Sequence, residues 1–127
     1  MAQRLVKTEP RRVEKPWGWE LIWAETDRYA GKLLFVRAGQ ALSLQYHERK
    51  DESWYVQEGR AALELGPVGG DLQTSEIGPG DTFHFEPGTV HRLRALEDTL
   101  IVEVSTADLD DVVRLADDYG REGTSQP

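Results

Sequence analysis

Apolar and polar residues alternate in short runs along this chain, and each run ends at a turn rich in glycine, proline or aspartate, such as 78–81 and 86–89. A period of two is typical of β-strands that bury one face. Turns that recur about every ten residues are typical of an all-β domain. The predicted strands are 18–24, 31–37, 41–47, 52–58, 60–66, 72–77, 82–86, 90–95 and 99–105. Many short strands favour a closed barrel or a sandwich, because both protect the strand edges.

The remaining segments lack this alternation. Residues 107–118 carry Leu109, Val112 and Leu115 in a loosely helical spacing, which predicts a short helix. Residues 1–13 are charged and aperiodic, so we expect an N-terminal arm that ends in an edge strand. We expect a single domain over residues 14–121 and a flexible tail over 122–127.

Composition limits the possible functions. The length of 127 residues corresponds to one domain. The chain has no cysteine, which excludes disulfides and thiolate metal ligands. Its net charge of −8 argues against nucleic acid and anionic membranes as partners. Because there is no apolar run of spanning length and no signal-like N-terminus, we expect a cytoplasmic protein.

Potential metal ligands lie near the middle of the chain. Gln45 and His47 are two residues apart, so on a strand they share a face. We expect the polar turn 48–51 to reverse the chain and to place Glu52 opposite His47 in a hairpin, with Cβ atoms about 4.5–5.5 Å apart. His91 follows a second turn. Two imidazoles, a carboxylate and an amide oxygen suit one divalent ion, Zn²⁺ or Mn²⁺, although the same residues could be polar groups on a solvated face.

The spacing of these residues from nearby glycines resembles the two motifs of the cupin superfamily. The first segment contains Gly39, Gln45, His47, Glu52 and Gly59, and the second contains Gly80, Gly88 and His91. Most cupins have histidine where this chain has Gln45. Glu86 and Ala95 also depart from the second motif. The resemblance implies an antiparallel β-barrel of the double-stranded β-helix, or jelly-roll, type.

The Gln-x-His pattern with Glu and His is similar to the ligand set of phosphomannose isomerases. Segments 14–21, 31–47, 52–61, 87–93, 99–106 and 110–121 resemble the C-terminal cupin domain of type II mannose-6-phosphate isomerases. This resemblance implies a metal-dependent aldose–ketose isomerase that acts on a sugar phosphate and forms a homodimer. The nucleotidyltransferase domain that usually accompanies such cupins has no counterpart in these residues. Glu48, Arg49, Lys50 and Ser53 replace the family's His-rich run, which leaves a related sugar open as the substrate.

Cationic and aromatic side chains are candidates for contact with such a substrate. We expect Lys50 and Arg92 to be catalytic, and Lys32, Arg92 and Arg94 to bind the sugar phosphate. Trp54 shares the strand face of Glu52 and is expected to line the pocket, whereas His84 is expected to be a packed or rim residue. Each cation could equally be a solvated surface charge.

Two other functions stay open at this point. One is another metal-dependent, sugar-modifying cupin enzyme, and the other is a non-catalytic sugar-binding or regulatory module. An iron dioxygenase is disfavoured, because Gln45 replaces the additional histidine of such sites.

Overall fold

The computed structural model describes residues 5–124, and this part of the chain contains β-strands but no helix. It therefore contains no helix that could span a membrane. The strands are β1 (Arg11–Lys15), β2 (Gly18–Glu25), β3 (Tyr29–Val36), β4 (Leu44–Tyr46), β5 (Glu52–Glu58), β6 (Ala61–Pro67), β7 (Gln73–Ile77), β8 (Thr82–Phe85), β9 (Thr89–Ala95), β10 (Thr99–Thr106), β11 (Val113–Ala116) and β12 (Gly123–Thr124).

The strands form two antiparallel sheets of six. The first has the order β1-β2-β3-β10-β5-β8, and the second has the order β12-β11-β4-β9-β6-β7. Buried side chains from both sheets, among them Leu34 and Trp54 of the first and Leu63 and Leu93 of the second, belong to one apolar cluster. The sheets therefore pack face to face as a jelly-roll sandwich, which confirms the predicted all-β fold class.

The alternation along each strand separates the sandwich interior from the outer surface. In β10 the buried positions are Thr99, Ile101, Glu103 and Ser105. In β9 the residues His91, Leu93 and Ala95 are buried, while Arg92 and Arg94 between them are partly exposed. The period-two pattern therefore determines which polar side chains enter the interior.

Two local predictions were wrong. Residues 107–118 do not form a helix, since turns lead into the short strand β11, which pairs with β4. The segment 48–51 does not close a hairpin either. It carries the chain from β4 in the second sheet to β5 in the first. His47 and Glu52 therefore approach each other across the sandwich interior and not along one ladder.

The turn between β5 and β6 requires glycine. Gly59 has a φ of 95°, in the left-handed region. A Cβ atom at this position would lie 2.2 Å from the carbonyl oxygen of Asp98. Both the backbone angle and the close approach therefore exclude a side chain here.

Candidate metal centre

Three of the four predicted metal ligands meet inside the sandwich. His47 follows β4, Glu52 begins β5 and His91 lies in β9, and one ligand atom of each lies within 4.8 Å of the others. His47 Nε2 is 3.0 Å from Glu52 Oε2, and His91 Nε2 is 3.5 Å from Glu52 Oε1. All three residues are buried. The two sheets thus bring two imidazoles and one carboxylate to a single point.

Backbone carbonyls orient both imidazoles. His47 Nδ1 lies 2.5 Å from the carbonyl oxygen of Asp111, and His91 Nδ1 lies 3.0 Å from that of Thr89. A carbonyl oxygen can only accept a hydrogen bond, so each Nδ1 carries the proton. In the neutral ring each Nε2 then presents a lone pair toward Glu52.

These lone pairs fit a metal ion. Glu52 Oε2 and His91 Nε2 are buried and have no partner with hydrogen-bond geometry among the described residues. Lone pairs that face each other across about 3–3.5 Å repel unless a cation or a proton lies between them. Imidazoles held by carbonyl acceptors, together with a carboxylate, are typical divalent-metal ligands. The His/Glu/His cluster therefore suits a metal ion.

Gln45 lies next to this cluster. It is paired in register with His91 on the neighbouring strand β9, and it lines the same pocket as His47 and Glu52. Directly opposed residues on paired strands point to the same face. The position agrees with an amide ligand, and coordination by Gln45 stays a prediction.

Lys50 is buried beside the cluster. Its Nζ lies 3.0 Å from Glu52 Oε2 and 3.2 Å from Glu103 Oε2. Burial alone would lower the pKa of Lys50, but the two carboxylates outweigh it and raise the pKa above its usual value. Burial would likewise raise the pKa of Glu52, yet the charge of Lys50 holds it well below the usual range. Both groups are therefore charged at neutral pH.

Trp54 lines the pocket as expected. It is buried, and its Nε1 donates a hydrogen bond of 3.1 Å to Glu103 Oε1. Its ring contacts the His91 ring edge-on, with centroids 5.7 Å apart. Trp54 thus fixes the orientation of the Glu103 carboxylate while it forms an apolar wall beside the cluster.

A second ion-pair group extends the pocket. Lys32 Nζ lies 2.7 Å from Glu20 Oε1, and Lys15 Nζ lies 3.2 Å from Glu20 Oε2. All three side chains are less than 10% exposed. Arg114 of β11 and Arg121 also line this pocket. Lys32 therefore lines the pocket together with Arg114 and Arg121, which had not been candidates, and binding of a sugar phosphate by Lys32 stays a prediction.

The loop between the ligands is held by one carboxylate. Asp111 accepts hydrogen bonds from the backbone N–H groups of Glu48, Arg49 and Lys50, at 3.0, 2.6 and 2.8 Å. Its own carbonyl oxygen accepts the proton of His47 Nδ1. A single residue therefore fixes both the ring of His47 and the path of the chain toward Glu52.

Three predicted positions lie away from the cluster. Arg92 is on the outer side of β9, where its Nε donates 3.0 Å to Glu64 Oε1. Arg94 pairs with Asp118 at 3.1 Å. Neither arginine lines the pocket, because both alternate with the inward-facing His91 and Leu93. His84 is exposed and pairs with Asp51, as expected for a rim residue.

The sequence reading missed Glu20 and Glu103. Each occupies an inward position in a strand whose other inward residues are uncharged. A charged residue at such a position is a signal of a buried polar site. Asp111 carried no such signal, because it lies in the segment 107–118 that was expected to be helical.

Comparison with known proteins agrees with this geometry. The sequence model described as "Cupin domain" matches residues 31–107. The mannose-1-phosphate guanylyltransferase of Escherichia coli K12 is 33% identical over 87% of this chain and 23% of its own length. The xanthan biosynthesis protein XanB of Xanthomonas campestris is 30% identical over 94% of this chain and 26% of its own length. The chain thus spans about a quarter of these relatives, and it is homologous to their cupin domain.

Solved structures show the same fold. The structure of KdgF from a Halomonas species superposes with a TM-score of 0.67 at 26% identity, covering 81% of this chain and 89% of KdgF. Oxalate decarboxylase of Bacillus subtilis superposes with a TM-score of 0.70 at 22% identity, covering 85% of this chain and 30% of that one.

Proposed function

Because the chain belongs to the cupin domain family, we propose that it uses the His/Glu/His cluster as a metal-dependent aldose–ketose isomerase of sugar phosphates, similar to mannose-6-phosphate isomerases. The observation that carries the proposal is the buried His/Glu/His cluster beside a pocket lined by cations. The similarity to mannose-1-phosphate guanylyltransferases supports a mannose phosphate as the substrate.

His47, Glu52 and His91 would hold the ion, with the amide oxygen of Gln45 as a fourth ligand. When bound, Zn²⁺ or Mn²⁺ supplies a Lewis acid that polarises an oxygen of the opened sugar. Lys50 is protonated, so its role is to donate hydrogen bonds to an oxygen that gains negative charge, and not to act as a base.

Isomerisation also needs a base that moves a proton between two adjacent carbons. Of the carboxylates that line the pocket, Glu52 is committed to the ion and Glu20 is held between two lysines. Glu103 is therefore the residue proposed to take the proton. Trp54 fixes one of its oxygens and Lys50 lies beside the other.

The test is conversion of mannose 6-phosphate to fructose 6-phosphate by protein loaded with Mn²⁺ or Zn²⁺. Exchange of the C2 proton with deuterated solvent, measured by NMR, reports the proton transfer separately. Glu103→Gln should abolish both while it retains the metal, whereas Glu64→Gln on the outer face should change neither. If the loaded protein neither converts the sugar nor exchanges its proton, the isomerase proposal is wrong.

One observation favours a non-catalytic sugar-binding module as a second candidate. Each carboxylate that lines the pocket within the described residues is paired with a lysine: Glu20 with Lys15 and Lys32, and Glu52 and Glu103 with Lys50. Such pairing occupies carboxylate oxygens that a base would need for the substrate proton. Tight binding of mannose 6-phosphate without proton exchange would support this second function.

A further inference from the structure

The outer face of the first sheet is apolar, although it points away from the core. Strand register places Leu21, Leu33, Val102 and Tyr55 in one row across β2, β3, β10 and β5. These positions alternate with the buried ones, so their side chains point outward, and each retains exposed surface. Antiparallel sheets normally carry polar residues on a face that contacts water. The apolar row therefore indicates that something other than water covers this face.

The rows on both sides of this central row are apolar as well. On one side Trp19, Phe35 and Leu100 are paired in register, and the first two rings stack with their centroids 5.3 Å apart. On the other side Val104 is 49% exposed and Trp23 is 44% exposed. Trp23 lies on this face because its ring packs over the glycine of β3 that pairs with Val104. The three rows form one continuous surface, the outer apolar face.

The second sheet shows a solvated face in the same molecule. Its outward positions on β6 and β9 include Glu64, Arg92 and Arg94. Arg92 pairs with Glu64 at 3.0 Å, and Arg94 pairs with Asp118 at 3.1 Å. The two sheets therefore differ on their outer sides: one carries ion pairs in water, and the other exposes aliphatic and aromatic side chains.

The outer apolar face is large enough for a stable protein contact. Adjacent strands lie about 4.8 Å apart and rise about 3.4 Å per residue, so β2, β3, β10 and β5 cover about 500 Å². A monomeric protein rarely exposes a continuous apolar patch larger than a few hundred Å². With the edge strands β1 and β8 the whole sheet covers about 650 Å². Each partner in a specific interface buries about 600–1,000 Å².

The charge distribution indicates which partner fits this face. The chain carries −8, so two copies repel each other over most of their surface. The three rows of the outer apolar face contribute no charge, and at its margin Arg12 pairs with Glu14 and His84 with Asp51. A two-fold axis sets a surface patch against itself, which places like charges together unless the patch is uncharged. A second copy of the chain therefore fits this face better than a partner that is recognised by charge.

We propose that the outer apolar face is the interface of a symmetric homodimer. Two copies pack their first sheets face to face, with the apolar rows at the centre and the polar margin around them, as in other protein interfaces. The same strands carry Lys32 and Glu103 on their inner side, so the contact lies behind the pocket and not at it. The proposal thus goes beyond the proposed function and does not depend on it.

The first experiment measures the mass of the wild-type protein in solution by analytical ultracentrifugation. Interfaces of this size have dissociation constants in the micromolar range or tighter, so the protein should sediment as a dimer at about 50 µM. On dilution below the dissociation constant, tryptophan fluorescence should shift to longer wavelength, because Trp19 and Trp23 become more exposed to water. A monomer at about 50 µM would overturn the proposal and leave the face to a different protein.

The second experiment locates the contact with single charges. Val104→Glu and Tyr55→Glu replace side chains that are already 49% and 45% exposed in the protomer, so circular dichroism should stay as in the wild type. Each variant places an unpaired charge in the apolar contact, so the dissociation constant of the dimer should rise about a hundredfold or more.

Leu115→Glu is the matched control, because Leu115 is 46% exposed but lies on β11 of the second sheet. This variant should dimerise like the wild type. A dimer that Val104→Glu and Tyr55→Glu both leave intact would place the interface elsewhere. The same conclusion follows if Leu115→Glu weakens the dimer as much as they do.

Discussion

Replacing Asp111 by asparagine should destabilise the protein by about 3 kcal/mol. In the wild type, Oδ2 accepts two hydrogen bonds, at 2.6 and 2.8 Å, and Oδ1 accepts a third, at 3.0 Å. Asparagine keeps one oxygen and turns an N–H group toward backbone N–H donors. The oxygen can take the Oδ2 position and keep two of the three bonds. Hydrogen bonds to a charged group contribute about 1.5–3 kcal/mol each and those to a neutral group about 0.5–1.5 kcal/mol, so one lost bond and two weakened bonds together give about 3 kcal/mol.

The effect should depend on pH. Burial alone would raise the pKa of Asp111, but the hydrogen bonds from Glu48, Arg49 and Lys50 outweigh it and lower the pKa below its usual value. A lowered pKa means that the stabilisation is complete above the unfolded-state pKa of about 3.9 and is lost as the pH falls through the folded value. The difference between wild type and Asp111→Asn should therefore be largest at pH 7 and shrink below about pH 4.

Urea unfolding at pH 7 and at low pH measures both effects, with Asp110→Asn as the control. Asp110 is the adjacent, exposed aspartate, so its replacement removes the same charge without these contacts. If the free energies of unfolding of Asp111→Asn and Asp110→Asn differ by less than about 0.5 kcal/mol at pH 7, the Asp111 carboxylate does not stabilise the loop 48–50. The same conclusion follows if the difference does not change with pH.

Three further predictions test the metal centre, the turn and the outer arginine. Mn²⁺ or Zn²⁺ at a hundred times its Kd should stabilise the wild type against thermal unfolding by about 2.7 kcal/mol. Glu52→Gln should show no metal-dependent change in its melting temperature and no bound metal by elemental analysis. An equal change in both proteins would place the ion elsewhere. Gly59→Ala should lower the free energy of unfolding by about 2 kcal/mol or more, because the added Cβ would lie 2.2 Å from the carbonyl oxygen of Asp98. Gly39 has a φ of 83° but open space around it, so Gly39→Ala should lower the free energy of unfolding by about 1 kcal/mol. Equal losses of stability in the two variants would contradict the clash at Gly59. Arg92→Gln should lose only the ion pair with Glu64, which lowers the free energy of unfolding by less than about 1 kcal/mol. Metal content and affinity for mannose 6-phosphate should stay unchanged. Weaker binding of the sugar would show that Arg92 reaches the pocket.

The His/Glu/His cluster could be predicted from the sequence because its residues combine strand parity with a characteristic spacing from turn glycines. His47, Glu52 and His91 were selected on residue type and position, and the fold brings them together. The predicted path of the chain between His47 and Glu52 was nonetheless wrong. A polar segment such as 48–51 looks the same whether it closes a hairpin or crosses between sheets, because the sequence does not state which strands are neighbours.

The cations could not be assigned in the same way. Arg92 adjoins His91 in sequence, and this nearness was taken for nearness in space, although adjacent strand residues face opposite sides. The arginines that do line the pocket, Arg114 and Arg121, come from the C-terminal part of the described chain, where short apolar runs fit a helix as well as a strand. In the structure, pairing with β4 makes part of this segment the strand β11 and not a helix.

The contact between His47 and Asp111 joins residues 64 positions apart. During synthesis, His47, Glu52 and His91 are therefore all present before the residue that orients the first of them has been made. Until the C-terminal segment docks against β4, the His47 ring can turn freely and the loop toward Glu52 is unsupported. Capture of an ion by the His/Glu/His cluster would thus be a late event, one that requires the C-terminal segment to have docked. Long-range contacts of this kind also slow folding.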